Sequence, residues 1–313
     1  MQKVIIIGSG PAGLTAGIYA GRAQLEPLLI AGNLLGGQPT LTDIVENYPG
    51  FPEPISGQEL AELMQQQAER FDTRILYEEA TAVDLSSSPL MVETYEHTYE
   101  AQALVIATGV SPRKLEVPGE AEFTGRGVSY CAVCDGFFYQ DKRVAVVGGG
   151  DSAVKEALFL TRFAKQVTII HRRDRLRATQ VVQQRAFDDE RIECLWDSVV
   201  REIVGQQTVT GVRVENVKSG DVSLVPVDGA FIYVGSTPNT KFIKGELELD
   251  ERGYIVADEQ GHTSRSGVFA AGDVREGVLR QVATAVGSGA VAAMEAEEYI
   301  AELGGWSYPP RGG

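Results

Sequence analysis

Cys131-Ala132-Val133-Cys134-Asp135 concentrates more reactive chemistry than any other stretch of this chain: two thiols three positions apart and a carboxylate directly after the second. Such a pair can bind zinc, sit as structural thiols, or cycle between dithiol and disulfide. Zinc takes four ligands in a closed site. The other soft candidates, Cys194, His97, His171 and His262, show no paired spacing. The redox reading is therefore favoured, because this spacing closes a small ring and lets neighbours tune the thiolate. Asp135 then stands as a general acid–base for a leaving thiolate, against the plainer reading of a turn or cap residue. Cys194, within Ile192-Glu193-Cys194-Leu195-Trp196, is expected to be a buried small hydrophobe.

Two further segments suit polyanions. Lys3 to Gly13 reads KVIIIGSGPAG and Arg143 to Ala153 reads RVAVVGGGDSA. Each is an apolar run, a Gly-x-Gly-x-x-Gly/Ala turn, and then helix-like sequence over Leu14–Arg22 and Val154–Phe163. Gly8 and Gly148 make the turn, Gly10 and Gly150 admit a pyrophosphate, and Gly13 and Ala153 keep helix close to strand. The residues after the next strand distinguish the nucleotides. After Val167–Ile170 comes His171-Arg172-Arg173-Asp174-Arg175-Leu176-Arg177. Positive charge at that place suits a ribose 2′-phosphate, hence NADPH. After Pro27–Ile30 comes Ala31-Gly32-Asn33, with no acid for a ribose. Either Asn33 substitutes or the ribose is held from elsewhere. The loop material at Gly36–Thr40 and Glu46–Gly50 offers the extra contacts that a larger dinucleotide such as FAD needs.

The elements that must position these residues read as β-α units of parallel sheets. The segment Gly267–Val274, GVFAAGDV, resembles the strand end Leu104–Gly109, and Arg280–Leu303 reads as a long helix. The fold class expected is α/β, with two Rossmann-like dinucleotide-binding domains, one inserted in the other. Residues 1–114 with 240–313 form the discontinuous FAD domain, and 115–239 form the NADPH domain carrying the Cys pair. Residues 115–239 hold 15 Lys+Arg against 17 Asp+Glu, and the rest hold 13 against 26. The insert is thus near neutral, as suits a domain that receives a polyanion. The net charge of −15 argues against nucleic acid and anionic membranes as partners. No apolar run approaches the roughly 20 residues of a membrane helix. The N-terminal run reads as a core strand and not a signal peptide. Three cysteines in 313 residues fit a reducing cytoplasm.

The order GSGPAG, GGQ, ENYPGFPE, ATG, CAVCDG, GGGDSA, HRRDRLR, AAGDV and RQVATA resembles the bacterial-type, low-molecular-weight thioredoxin reductases, from Lys3 to about Leu303. That resemblance implies FAD along Ser9, Gly10, Pro11, Ala12, Gly37, Gln38, Asn47, Thr108, Gly109 and Asp273, with Arg280, Gln281 and Val282 near the flavin ring. It implies NADPH on Gly149, Gly150, Asp151, Ser152, Arg172, Arg173 and Arg177, and no metal. Cys134 would face the flavin and Cys131 would attack a partner disulfide, that of thioredoxin or a thioredoxin-like protein. It also implies a homodimer. Because the nicotinamide site and the Cys pair share the insert and each must reach the flavin, the insert is expected to turn on the polar joints Ser111–Lys114 and Thr237–Thr240 to bring them there in turn. Rival readings are a reductase of another dithiol partner, one fed by ferredoxin, or a flavin–dithiol sensor without turnover. Lys155 departs from the acid common in relatives and is expected on the surface. Trp306 and Tyr308 lie in a tail that either frays or covers a flavin face or a neighbouring subunit.

Overall fold

Val4, Ile5, Ile6 and Ile7 are all buried but do not share a core. Val4 and Ile6 enter one apolar cluster, Ile5 and Ile7 another. That alternation is what a strand covered on both faces requires. The computed structural model describes residues 1–42 and 45–306. It divides into two compact units, Met1–Ser111 with Thr237–Gly313, and Pro112–Ser236. The division falls three residues before the expected bounds at 114/115 and 239/240. The crossings run in extended strands, Val110–Pro112 and Ser236–Pro238, which pair as a two-stranded ribbon.

In the discontinuous unit, Gln2–Ile7 lies between Leu28–Ile30 and Thr98–Ile106, all parallel, with Arg74–Leu76 outside Leu28–Ile30. Thr98–Ile106 is long enough to take two neighbours on its far side. Leu90–Thr94 pairs antiparallel with its first half, and Val268–Ala270 pairs parallel with its end. Ala80–Asp84 adds an antiparallel edge. Sequence patterning assigns nothing to 74–94. These strands are short and half-exposed, so no long apolar run marks them.

The helix Pro11–Arg22 starts directly after Gly10, with Pro11 in its first turn. It packs on the helix Val282–Leu303 at a point where a β-carbon on Gly289 would strike the Ala12 carbonyl. The long helix starts at Val282 rather than Arg280. Gln281 and Thr284 form a reciprocal capping box there, which fixes the boundary.

In the inserted unit, the parallel order is Ile192–Leu195, Gln166–Ile170, Arg143–Gly148, Gly229–Tyr233, Val128–Ser129. Val144 and Val146 face one cluster, Ala145 and Val147 the other. An antiparallel sheet of Ser198–Gly205, Val209–Asn216 and Val222–Val225 completes it. The helix after the glycine turn spans Asp151–Leu160. The α/β class with two Rossmann-like units, one interrupting the other, is therefore the class observed. No helix among the described residues is long and apolar enough to cross a membrane.

Candidate redox and dinucleotide sites

Cys131 and Cys134 are joined, with an Sγ–Sγ distance of 2.07 Å and Cα atoms 5.3 Å apart. Cys131 caps the short helix Ala132–Asp135, and its Sγ accepts the Cys134 N–H at 3.1 Å. The Cys131 N–H donates to Ser129 Oγ at 3.0 Å, and that hydroxyl donates back to the Cys131 carbonyl at 3.2 Å. The next amide, of Ala132, donates to the Tyr233 phenol oxygen at 2.8 Å. Ala132 is buried, Cys131 and Asp135 are half-buried, and Cys134 is exposed. Asp135 lines a cleft of about 290 Å³ together with Arg126, Phe138, Tyr139, Lys142 and Asp228. Sequence reasoning passed over Ser129 and Tyr233. Tyr233 ends an apolar strand, and nothing in its spacing ties it to a cysteine a hundred residues earlier.

The glycine turn of the same unit lies against the arginine segment. The Arg177 N–H donates to the Gly149 carbonyl at 2.6 Å. The Asp151 carboxylate accepts both the N–H and the hydroxyl of Thr179 at 3.0 Å. A β-carbon on Gly149 would enter the His171 ring, so only glycine lets the turn lie this close to the imidazole. Burial, and then the charges of Arg177, Arg173 and Arg172, push the His171 pKa down and keep the ring neutral. Gly150 opens onto free space and caps its helix without a side-chain partner. Ser152, Arg172, Arg173 and Arg177 are exposed. Among the described residues none of the three guanidinium groups is in an ion pair. Open first-turn amides beside unpaired guanidinium groups suit a pyrophosphate and a further phosphate. Lys155 is exposed, and Cys194 is half-buried rather than buried, its thiol pushed up to about 11 by desolvation and then by Glu193.

In the other unit Gly37, at φ +68°, lies so close that a β-carbon on it would stand 2.8 Å from the Gly10 Cα. The helix at Pro11 and Ala12 has no acid in its first turn and no side-chain cap. No carboxylate and no capping side chain competes for the first-turn amides, which fits a pyrophosphate. The Ser9 hydroxyl is spent on the Ala31 and Leu34 carbonyls at 2.8 and 3.3 Å, so Ser9 can offer only its amide. Gln38 donates to the Val110 carbonyl at 3.2 Å, and Asn47 donates to Gln281 at 2.9 Å across 234 positions. Thr108 and Gly109 are stitched to Asn239. The Thr108 hydroxyl reaches its carbonyl at 2.8 Å, and the Asn239 backbone N–H reaches the Gly109 carbonyl at 3.1 Å. Nothing in the sequence spacing ties Asn239 to Thr108, 131 positions earlier, or to Gly109. Asn33 donates to Glu79 at 2.8 Å, which sets a carboxylate beside the strand end that lacked one. Burial raises the Asp273 pKa to about 6 against a smaller opposing pull from Arg280. Among the described residues no side chain donates to Asp273. The Arg280 guanidinium lies 4.5 Å from the Tyr254 ring centroid. Trp306 is exposed, and Tyr308 lies outside the described residues.

Residues 2–289 match the family described as pyridine nucleotide-disulphide oxidoreductase. A thioredoxin reductase of Streptomyces coelicolor is 47% identical over 306 residues, covering 97% of this chain and 95% of that one. One from Listeria monocytogenes is 49% identical over 304 residues, with 97% and 95% coverage. The crystal structure of the Lactococcus lactis thioredoxin reductase superposes with a TM-score of 0.95 at 45% identity, covering 97% of this chain and 100% of that one.

Proposed function

The chain belongs to the pyridine nucleotide-disulphide oxidoreductase family, and on that premise we propose that it is an NADPH-dependent flavoprotein that reduces the disulfide of thioredoxin through Cys131 and Cys134. One observation carries the reading: the Cys131–Cys134 disulfide belongs to the same inserted unit as a glycine turn flanked by unpaired arginines. NADPH, one proton and a partner disulfide become NADP⁺ and a dithiol, so two electrons leave the nicotinamide and two arrive on sulfur.

Bound NADPH and FAD supply the hydride transfer and the two-electron reduction of a disulfide. The chain's own residues do the rest. Gly149, Gly150, Asp151 and Ser152 cradle the NADPH pyrophosphate, and Arg172, Arg173 and Arg177 hold its 2′-phosphate. Gly10, Pro11, Ala12 and the Ser9 amide take the FAD pyrophosphate. Gly37, Gln38, Asn47, Thr108, Gly109 and Asp273 line the rest of its path, with Arg280, Gln281 and Val282 toward the ring. Cys131 is the thiolate that attacks the partner disulfide, since its sulfur already accepts a backbone amide and a hydrogen-bonded thiolate forms more readily. Asp135, half-buried beside Cys134, moves the proton. Residues 1–114 with 240–313 serve FAD and 115–239 serve NADPH. A homodimer, on the family resemblance, in a reducing cytoplasm, on the scarcity of cysteine, completes the reading.

Purified protein mixed with NADPH and oxidised thioredoxin tests it, with free thiols counted by a chromogenic disulfide. Turnover is expected, and it should vanish in Cys131→Ser and in Cys134→Ser. Protein that holds no flavin and releases no thiol sinks the proposal. Turnover with another dithiol protein and none with thioredoxin replaces the partner alone.

A further inference from the structure

Two consecutive amides around the redox pair are each taken by a side chain from the sheet. Ser129 holds the N–H and carbonyl of Cys131, and Tyr233 holds the N–H of Ala132. The two holders stand on neighbouring strands, Val128–Ser129 and Gly229–Tyr233, which pair in parallel through Ala230–Val128 and Phe231–Ser129. Their relative position is thus set by sheet hydrogen bonds and not by the loop they grip. We propose that Ser129 and Tyr233 are positioning residues that clamp the backbone on either side of Cys131, so that its sulfur keeps the Cys134 amide after the disulfide opens.

The need arises on reduction. While the disulfide stands, a covalent bond fixes the Cys131 sulfur near the Cys134 amide. Two electrons break that bond and leave two thiolates, which take up protons as pH dictates. From then on only non-covalent contacts hold the Cys131 sulfur where the Cys134 N–H points. That amide donates to an anion, which is among the stronger hydrogen bonds a protein makes and lowers the thiol pKa. Its strength falls steeply with distance and angle, so a loop free to shift would forfeit it. Ala132 is fully buried, and without Tyr233 its amide would be left unpaired, which drives the loop to rearrange. Burial first, then the charges of Glu156 and Asp135, keep the Tyr233 phenol protonated, so it remains a neutral acceptor across the working range. Packing alone asks for no hydroxyl at this strand end. The phenol of Tyr233 is what distinguishes it from phenylalanine.

The proposal rests on the redox reading but is tested apart from it. In Cys134→Ser the Cys131 thiol stands alone and the backbone amide of position 134 remains. Cys194, with its thiol pushed up to about 11, reacts slowly. Iodoacetamide alkylation of Cys131 is followed against pH in this background, alone and with Tyr233→Phe or Ser129→Ala. Each added substitution is expected to move the titration of Cys131 upward and to slow alkylation at pH 7 about threefold, the equivalent of half a pKa unit. The melting temperature guards against simple unfolding. If Tyr233→Phe fails to fold, Ser129→Ala carries the test. A titration that moves with neither substitution overturns the clamp, and one that moves with Ser129→Ala alone overturns the role of Tyr233. Alkylation needs neither thioredoxin nor nicotinamide. An inactive enzyme that still shows both shifts therefore fails the functional reading and leaves the clamp standing.

Discussion

At the scale of single residues, charge placement decides most of what can be tested. Arg172 and Arg173 are exposed and unpaired among the described residues, so removing either leaves no buried charge stranded. In the proposed site they meet a phosphate that NADH lacks. Arg172→Ala with Arg173→Ala is expected to weaken NADPH by about 10- to 100-fold in KM while NADH changes little, the two exposed and solvent-screened contacts together contributing about 1.5–3 kcal/mol. Steady-state kinetics with both nucleotides checks this, and equal loss for both would show that the pair does not read the phosphate.

Asp273 gives a pH prediction. Its folded pKa, about 6, lies above the ordinary 3.8 because burial disfavours the anion. Between these values the native state binds more protons than the unfolded one. The stabilisation is therefore complete below about pH 4 and is lost as pH rises through 6. In protein stripped of flavin, Asp273→Asn should be more stable than the parent at pH 7.5 by about 1–2 kcal/mol, and the difference should shrink toward pH 4. Urea unfolding across that range measures it, and a difference that grows toward acid would contradict that sign. The cysteine pair, the arginines and the glycines were legible in the sequence because each has a required type at a required spacing. Asp273 was reached only through likeness. Tyr233 and Asn239 carry no such signal, because their roles are hydrogen bonds across 101 and 131 positions, which no local pattern encodes, and Ser129, only two positions before Cys131, stands in no motif that ties a serine to the pair.

At the scale of elements, the glycine turns tell where helices begin, and contacts between helices limit which residues fit along them. Pro11–Arg22 and Val282–Leu303 approach at Gly289 and Ala12, and the obstacle to a larger residue is a backbone carbonyl, which cannot swing aside as a side chain can. Gly289→Ala should gain from higher helix propensity, by about 1 kcal/mol, yet lose more through forced separation of the helices, about 1–3 kcal/mol. Net destabilisation is the expected outcome, seen as a lower urea midpoint, with flavin retention falling alongside because both helices begin at proposed FAD contacts. A stabilised variant would mean that the helices part without cost. Thr284→Ala removes one half of the capping box and should cost about 1 kcal/mol. Sequence patterning puts the start of this helix two residues early, since Arg280 and Gln281 suit a helix as well as Val282 does. Only the side-chain bonds of Gln281 and Thr284 mark the boundary. The hairpin of Ala80–Asp84 and Leu90–Thr94 has no sequence mark for a related reason. Its strands are short and half-exposed, and their stability comes from the pairing with Thr98–Ile106 rather than from their own composition.

At the scale of the whole molecule, each unit carries its own pair of apolar clusters. Those around Val4 and Ile5 draw on the discontinuous unit, and those around Val144 and Ala145 draw on the insert. Units with separate cores need not unfold together. A ligand that binds one folded unit raises that unit's stability by an amount set by its saturation, about 4 kcal/mol at about a thousandfold excess over Kd. If FAD belongs to the discontinuous unit and NADPH to the insert, their removal should act on different transitions. Stripping the flavin should lower one calorimetric transition and leave the other in place, and adding NADP⁺ to the stripped protein should raise only the second. Trp196 lies against the core of the insert, so with Trp306→Phe its fluorescence assigns the transitions. It should track the one that responds to NADP⁺ and ignore the one that responds to flavin. A single transition moved equally by both ligands would mean that the units unfold as one body, and a Trp196 signal that tracks flavin would exchange the two assignments.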